Sequence, residues 1–185
     1  MTGLPEFISG LSLLLNVKKF RGDQKLSYLK DVIDPLYKKL EESAADYNKM
    51  LTVLRNHAED AASGLDAEAE SRVKKEIRDL RDKMAIERRS VSGVAYRFEE
   101  GDVPEVALFG QRINEYFAFR EAEDDELKSD VGRLIDELME VSETSFEGKL
   151  RAAVPAIDGI KNRALVTWKL ITRQYALLQK EATVR

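Results

Sequence analysis

The feature that most restricts the fold is a run of apolar residues at alternating three- and four-residue steps. Leu26, Leu29, Ile33, Leu36, Leu40, Tyr47, Met50 and Leu54 recur in this way, and Ser43 fills the one polar slot. Such spacing places every one of these side chains on a single stripe of an α-helix and on neither face of a strand. A stripe of that length is a heptad seam, which can only be buried against other helices. If the helix runs from about residue 23 to 60 it is about 55 Å long at ~1.5 Å per residue. Asp23 is the expected N-cap, and Pro35 is expected to kink the helix without ending it, because the seam stays in phase on both sides.

The same spacing returns downstream. After a turn around Ser63, Gly64, Leu65 and Asp66, a third helix carries Val73, Ile77, Leu80, Met84 and Val91. Turn chemistry in Gly101, Asp102 and Pro104 opens a fourth, with Val106, Phe109, Ile113, Tyr116 and Phe117 on one face. Leu127, Val131, Leu134, Leu138 and Val141 mark a fifth. A last one carries Leu150, Val154, Ile157, Ala164, Trp168, Ile171, Tyr175 and Leu178, with a kink or a split expected at Pro155 and Gly159. With 35% charged residues and only 10 Gly and 4 Pro, the composition suits long solvated helices. The expected fold is all-α, an elongated bundle of four long helices with two shorter accessory ones. Residues 1–185 are expected to form one domain.

The first of the accessory helices is GLPEFISGLSLLLNVKKF, residues 3–20. Leu4, Phe7, Ile8, Leu11, Leu14 and Leu15 fill an arc of about 120°, a normal core stripe. Leu13, Val17 and Phe20 point the other way, so the helix needs apolar surroundings on two sides. It is expected to pack on or in the bundle, with Leu13, Val17 and Phe20 as a contact for a partner or a membrane surface. It does not read as a signal peptide, since no Lys or Arg precedes the apolar run and no small-residue cleavage site follows. Pro5, Glu6, Ser9, Ser12 and Asn16 interrupt it too often for a membrane span.

Catalytic signatures are sparse. The chain has no cysteine, which removes disulfides, thiolate metal sites and cysteine nucleophiles. Its single histidine, His57, sits near a helix end, where an imidazole faces carbonyl groups, and a dinuclear Glu-x-x-His site would need more than one. Glu123 with Glu126 and Glu137 with Glu140 have the three-residue spacing that presents two carboxylates to a hard cation. This spacing is similar to the paired carboxylates of all-α nucleotide pyrophosphohydrolases, and the resemblance implies Mg²⁺-dependent hydrolysis. The second pair, however, ends in Glu where that family has a Glu-x-x-Asp pair, and the first lies in a mixed acidic run. Solvated acidic helix faces produce the same pattern, and no metal or other cofactor is expected.

Charge is segregated more clearly than any motif. Residues 72–89 hold eight basic and four acidic side chains, whereas 121–143 hold ten acidic and two basic. Lys74, Arg78, Arg81 and Arg88 form a basic stripe flanking the seam of the third helix, and its expected counterpart is the acidic helix with Asp130, Asp136, Glu137 and Glu140. Phe117 and Phe119 lie about 200° apart on a helix, so a single core face cannot bury both, and they too are candidate contacts. The net charge of −4 argues against nucleic acid as the partner. The leading expectation is a non-enzymatic helical interaction or assembly module, cytoplasmic or peripheral at a membrane, that contacts another protein or itself. A membrane-perturbing bundle is the alternative, and in it Lys18, Lys19 and Arg21 would meet the lipid.

Overall fold

The structure, a computed structural model of the whole chain, describes residues 24–61, 64–118 and 130–184, apart from the side chains of residues 87–89 and 118. The N-terminal apolar segment, with Leu13, Val17 and Phe20, therefore lies outside the described residues. The described chain is all-α. Helix α1 is Lys25–Tyr28, and a π-helical turn, Leu29–Ile33, joins it to α2, Asp34–Asp60. Next come α3, Ala67–Glu99, and α4, Pro104–Ala118. The remaining helices are α5, Asp130–Met139, α6, Phe146–Ala152, and α7, Val154–Thr183. Three helices are long, with 27, 33 and 30 residues in α2, α3 and α7. The fourth long helix expected around Leu127–Val141 appears as the ten-residue α5, with residues 119–129 outside the description. It stops at Met139, so Val141 leaves the seam and stands 98% exposed.

The π turn explains how Pro35 is accommodated. In a regular helix its ring would strike the carbonyl of Asp31, four residues back, and its missing N–H would break a bond there. A turn with one extra residue moves that carbonyl aside. The same extra residue rotates everything upstream by about 100°, which turns Leu26 out to solvent and brings Tyr28 into the core. Downstream the seam holds, with Leu36, Leu40, Ser43, Tyr47, Met50 and Leu54 all buried.

Local signals set the other boundaries. Gly64 adopts φ +90°, a left-handed conformation that suits glycine after a helix end, and its N–H donates to Ala61 O at 3.3 Å. Asp66 then caps α3 by accepting from Ala69 N–H at 2.7 Å, and Ser145 caps α6 by accepting from Gly148 N–H at 3.1 Å. Pro155 sits in the first turn of α7, where its absent N–H costs nothing, and the helix runs on through Gly159. The split expected in this region falls at Ala153.

By contacts the chain divides into two compact units. The first contains the described residues of Met1–Ala45, Ile86–Phe117 and Val166–Arg185, and the second those of Asp46–Ala85 and Ala118–Leu165. In the first, α4 packs closely on α3. A Cβ at Gly110 would lie 2.5 Å from Ala95 O and 2.7 Å from Phe98 Cβ, so only glycine allows this approach. Phe98 and Phe109 meet across it, with ring centroids 6.1 Å apart. The N-terminal part of α2 meets α7 through an aromatic stack. Tyr37 lies face to face with Tyr175 at 3.8 Å and 4°, and with Trp168 at 5.8 Å. Tyr116 of α4 meets the edge of Trp168 at 5.5 Å, and the buried Gln174 of α7 donates to Glu105 O at 2.9 Å.

In the second unit, ion pairs join helices that also bury Leu54, Ile77, Leu134, Ile135, Leu150 and Ile157. Arg55 donates to Asp158 at 2.9 Å, Lys83 to Asp46 at 3.0 Å, Arg81 to Asp136 at 3.3 Å and Arg163 to Asp130 at 2.7 Å. Short as it is, α6 serves two neighbours. Its Arg151 donates twice to Ala61 O, at 2.9 and 2.7 Å, and its Lys149 donates to the carbonyls of Glu137, at 3.1 Å, and Glu140. Both cations sit at helix C-terminal ends, where the helix dipole is negative, a favourable place for a positive charge.

Candidate interaction surface

The residues that the sequence marks as sites fall in different places. Phe117 is 1% exposed, packed against Tyr116 with centroids 5.0 Å apart, so its ring belongs to the core and offers nothing to a partner. Phe119 lies outside the described residues. The physical reason is that α4 turns Phe117 toward the same interior as Ile113 and Tyr116, both buried. Among the described aromatic residues of this region, Tyr96 is the one left on the surface.

The basic stripe on α3 is partly consumed within the molecule. Arg81 pairs with Asp136 of the acidic helix and also with Asp82. Lys74 pairs with Glu70 and sits 4.8 Å from the centre of the Phe146 ring. Arg78 is exposed and forms no ion pair among the described residues, and the Arg88 side chain is outside the description. His57 Nε2 lies 3.0 Å from Glu76 Oε2, a contact between α2 and α3. Of the paired carboxylates, Glu123 and Glu126 are outside the described residues, while Glu137 and Glu140 are exposed at the end of α5. Among the described residues no group of three or more His, Asp or Glu side chains is placed to hold a metal ion. No described helix is long and apolar enough to cross a membrane.

The feature that the sequence reading missed is the outward face of α7. Opposite the buried Ile171 and Leu178, at ~100° per residue, the helix presents Val166, Arg173, Leu177, Lys180 and Val184, all exposed, and the half-buried Leu170. These recur at alternating four- and three-residue steps, a second seam on the same helix. Val166 is 61%, Leu177 45% and Val184 68% exposed. Lys169 and Ala176 flank the seam, both exposed. From Gly159 to Lys180 the chain holds five cations, Lys161, Arg163, Lys169, Arg173 and Lys180, and not one carboxylate, in a protein whose net charge is −4. Arg163 is spent on Asp130. Among the described residues Lys169, Arg173 and Lys180 form no ion pair. The missed signal was this acid-free run, overlooked because the core seam on the opposite side accounts for the helix by itself.

A helix that is apolar on one side is satisfied by its own core. One that carries on its other side exposed Val and Leu between cations without an ion pair among the described residues offers hydrophobic area and positive charge together. That combination suits docking, and it supplies neither a nucleophile nor a proton-transfer pair for chemistry. No protein-family model, curated protein or solved structure matches the chain.

Proposed function

We propose that this protein is a non-enzymatic helical interaction and assembly module that works by presenting the outward face of α7 to a partner. The observation that supports this reading most directly is the second seam itself, Val166, Leu170, Leu177 and Val184 interleaved with Arg173 and Lys180. Exposed apolar side chains scattered singly are ordinary on any surface. A row of them at heptad spacing is not, because it repeats the pattern by which helices bury one another. Lys169, Arg173 and Lys180, which form no ion pair among the described residues, add a preference for an acidic partner surface and speed its approach.

A photo-crosslinking amino acid placed at Leu177, in the cell that makes the protein, tests the proposal. The same substitution at Lys75, exposed on α3, is the control. Adducts that form at 177 and are scarce at 75 are expected. No adduct at 177, or equal yields at both positions, would overturn it.

A further inference from the structure

We infer that the occupant of the α7 face is a second copy of this chain, which docks there with the acidic tip that follows α5. The inference rests on the proposal above and names its partner. The complement is on the molecule itself. Beyond Met139 the chain leaves the helix, and Glu137, Glu140 and Glu143 are all exposed around Val141, itself 98% exposed. None of these three carboxylates forms an ion pair among the described residues. The tip is thus acidic and apolar where the α7 face is basic and apolar.

The tip is also held in place, which lowers the entropy lost when it docks. Lys149 grips the carbonyls of Glu137 and Glu140 from α6, Ser142 Oγ donates to Thr144 O at 3.3 Å, and Ser145 caps the helix that follows. Because Lys149 binds carbonyl oxygens, it leaves the carboxylates facing outward. The spans agree as well. Arg173 and Lys180 are seven residues apart, about 10 Å along a helix. One helical turn from Glu137 to Glu140 and a few extended residues to Glu143 cover a comparable length.

The α7 face and the acidic tip are different surfaces, so the contact is either reciprocal, closing a two-fold pair, or head to tail. Each copy gives one contact and receives one, and copies close into a dimer or ring or add into open chains. This arrangement permits a test that intramolecular pairing cannot imitate. One full-length variant carries Arg173→Glu and Lys180→Glu, and another carries Glu137→Lys and Glu140→Lys. Each variant alone then sets like charges against each other at every possible contact. In an equimolar mixture, the reversed α7 of one copy meets the reversed tip of the other, and the original pair also meets.

Sedimentation velocity at low salt is expected to show concentration-dependent assembly of the wild type, weakened by about 0.5 M salt. Each charge-reversed variant should associate at least about tenfold more weakly, and the mixture should recover assembly. Circular dichroism checks that helicity is kept. If a charge variant misfolds, Val141→Ser and Leu177→Ser carry the test, and each should weaken assembly without altering net charge. A wild type that is monomeric at about 0.1 mM, or a folded mixture that fails to recover, overturns the inference. So does a wild type that stays monomeric while binding phosphatidylserine vesicles, but not phosphatidylcholine vesicles, through Arg173 and Lys180. A crosslinked adduct at 177 whose mass is not twice that of the chain leaves the interaction proposal standing and removes only the second copy, whereas vesicle binding with no protein adduct at 177 overturns both.

Discussion

Both units bury apolar side chains, but the helices of the first also meet through rings and a glycine, whereas those of the second are joined by ions and capped helix ends. Tyr37, Trp168, Tyr175 and Tyr116 form a connected aromatic group, and Gly110 lets α4 sit almost on the backbone of α3. The second unit places Arg55, Arg81, Lys83 and Arg163 on carboxylates of neighbouring helices, and Lys149 and Arg151 on helix carbonyls. Ring contacts and close backbone approach depend on shape and tolerate little change. Exposed ion pairs depend on charge, contribute little each, and are screened by salt. The two units are therefore expected to fail under different insults, and the single tryptophan, Trp168, reports on the first of them.

The sharpest way to break the comparison is Gly110→Ala. The added Cβ meets a carbonyl oxygen and the Cβ of Phe98, both fixed to helix backbones, so relief requires α4 to move away from α3. Overpacking of this kind costs about 1–3 kcal/mol. Trp168 fluorescence should show the transition at lower denaturant, and hydrogen exchange should rise first in α4 and in the part of α3 that faces it. Unchanged stability would mean that the two helices are not held as closely as the geometry requires.

Much of this was legible in the sequence, and the failures have physical causes. The seam from Leu29 to Leu54 was readable because every residue in it is buried for the same reason, contact with neighbouring helices. Leu26 was misplaced because a π turn shifts register by one residue, and heptad spacing assumes that no such turn occurs. Val141 continued the pattern of α5 on paper, but no periodicity shows where a helix stops when its last turn lacks a glycine or proline. Phe117 is a candidate contact because one face cannot bury it together with Phe119, and spacing alone does not say which of the two α4 turns inward. The α7 face went unseen because a search for core stripes stops once it finds one. Its charge pattern, five cations and no carboxylate over residues 159–180, needed no structure to be read.

Raised pH offers a second separation. Burial pushes the Tyr28 phenol up to about 12 from an ordinary value of 10.0. Burial first, and then the hydrogen bond to Asp34, does the same for Tyr175, also to about 12. Burial raises Tyr116 as well, and all three lie in the first unit. A phenol whose pKa is higher folded than unfolded ionises first in the unfolded chain. Between pH 10 and 12 the unfolded state therefore holds fewer protons, and stability falls as pH rises; below 10 both states are protonated and these groups add no pH dependence. A denaturation series followed by Trp168 should show this loss above pH 10, reduced in Tyr28→Phe and Tyr175→Phe. If both variants soften as steeply as the wild type, other groups control the alkaline limit.

The smallest expected effect comes from the second unit, at Arg81 and Asp136. Their 3.3 Å contact joins α3 to α5, but both side chains are about two-fifths exposed, and Arg81 also donates to Asp82 at 3.2 Å. A single Arg81→Gln change removes both contacts, so its effect cannot be assigned to either. A double-mutant cycle with Asp136→Asn isolates the interhelical term, expected at about 0.2–1 kcal/mol and lower again in high salt. Arg81→Glu should destabilise more than Arg81→Gln, because it brings a carboxylate up to Asp136, and Asp136→Lys should recover most of the difference. The result bears on the comparison as a whole. A coupling well above 1 kcal/mol that resists salt would mean that this pair is shielded like the rings of the first unit, and that the second unit too is held by shape. A coupling near zero would leave burial of Val131, Leu134, Ile135 and Leu138 as what holds α5 in place, with the charges selecting its neighbour without adding stability.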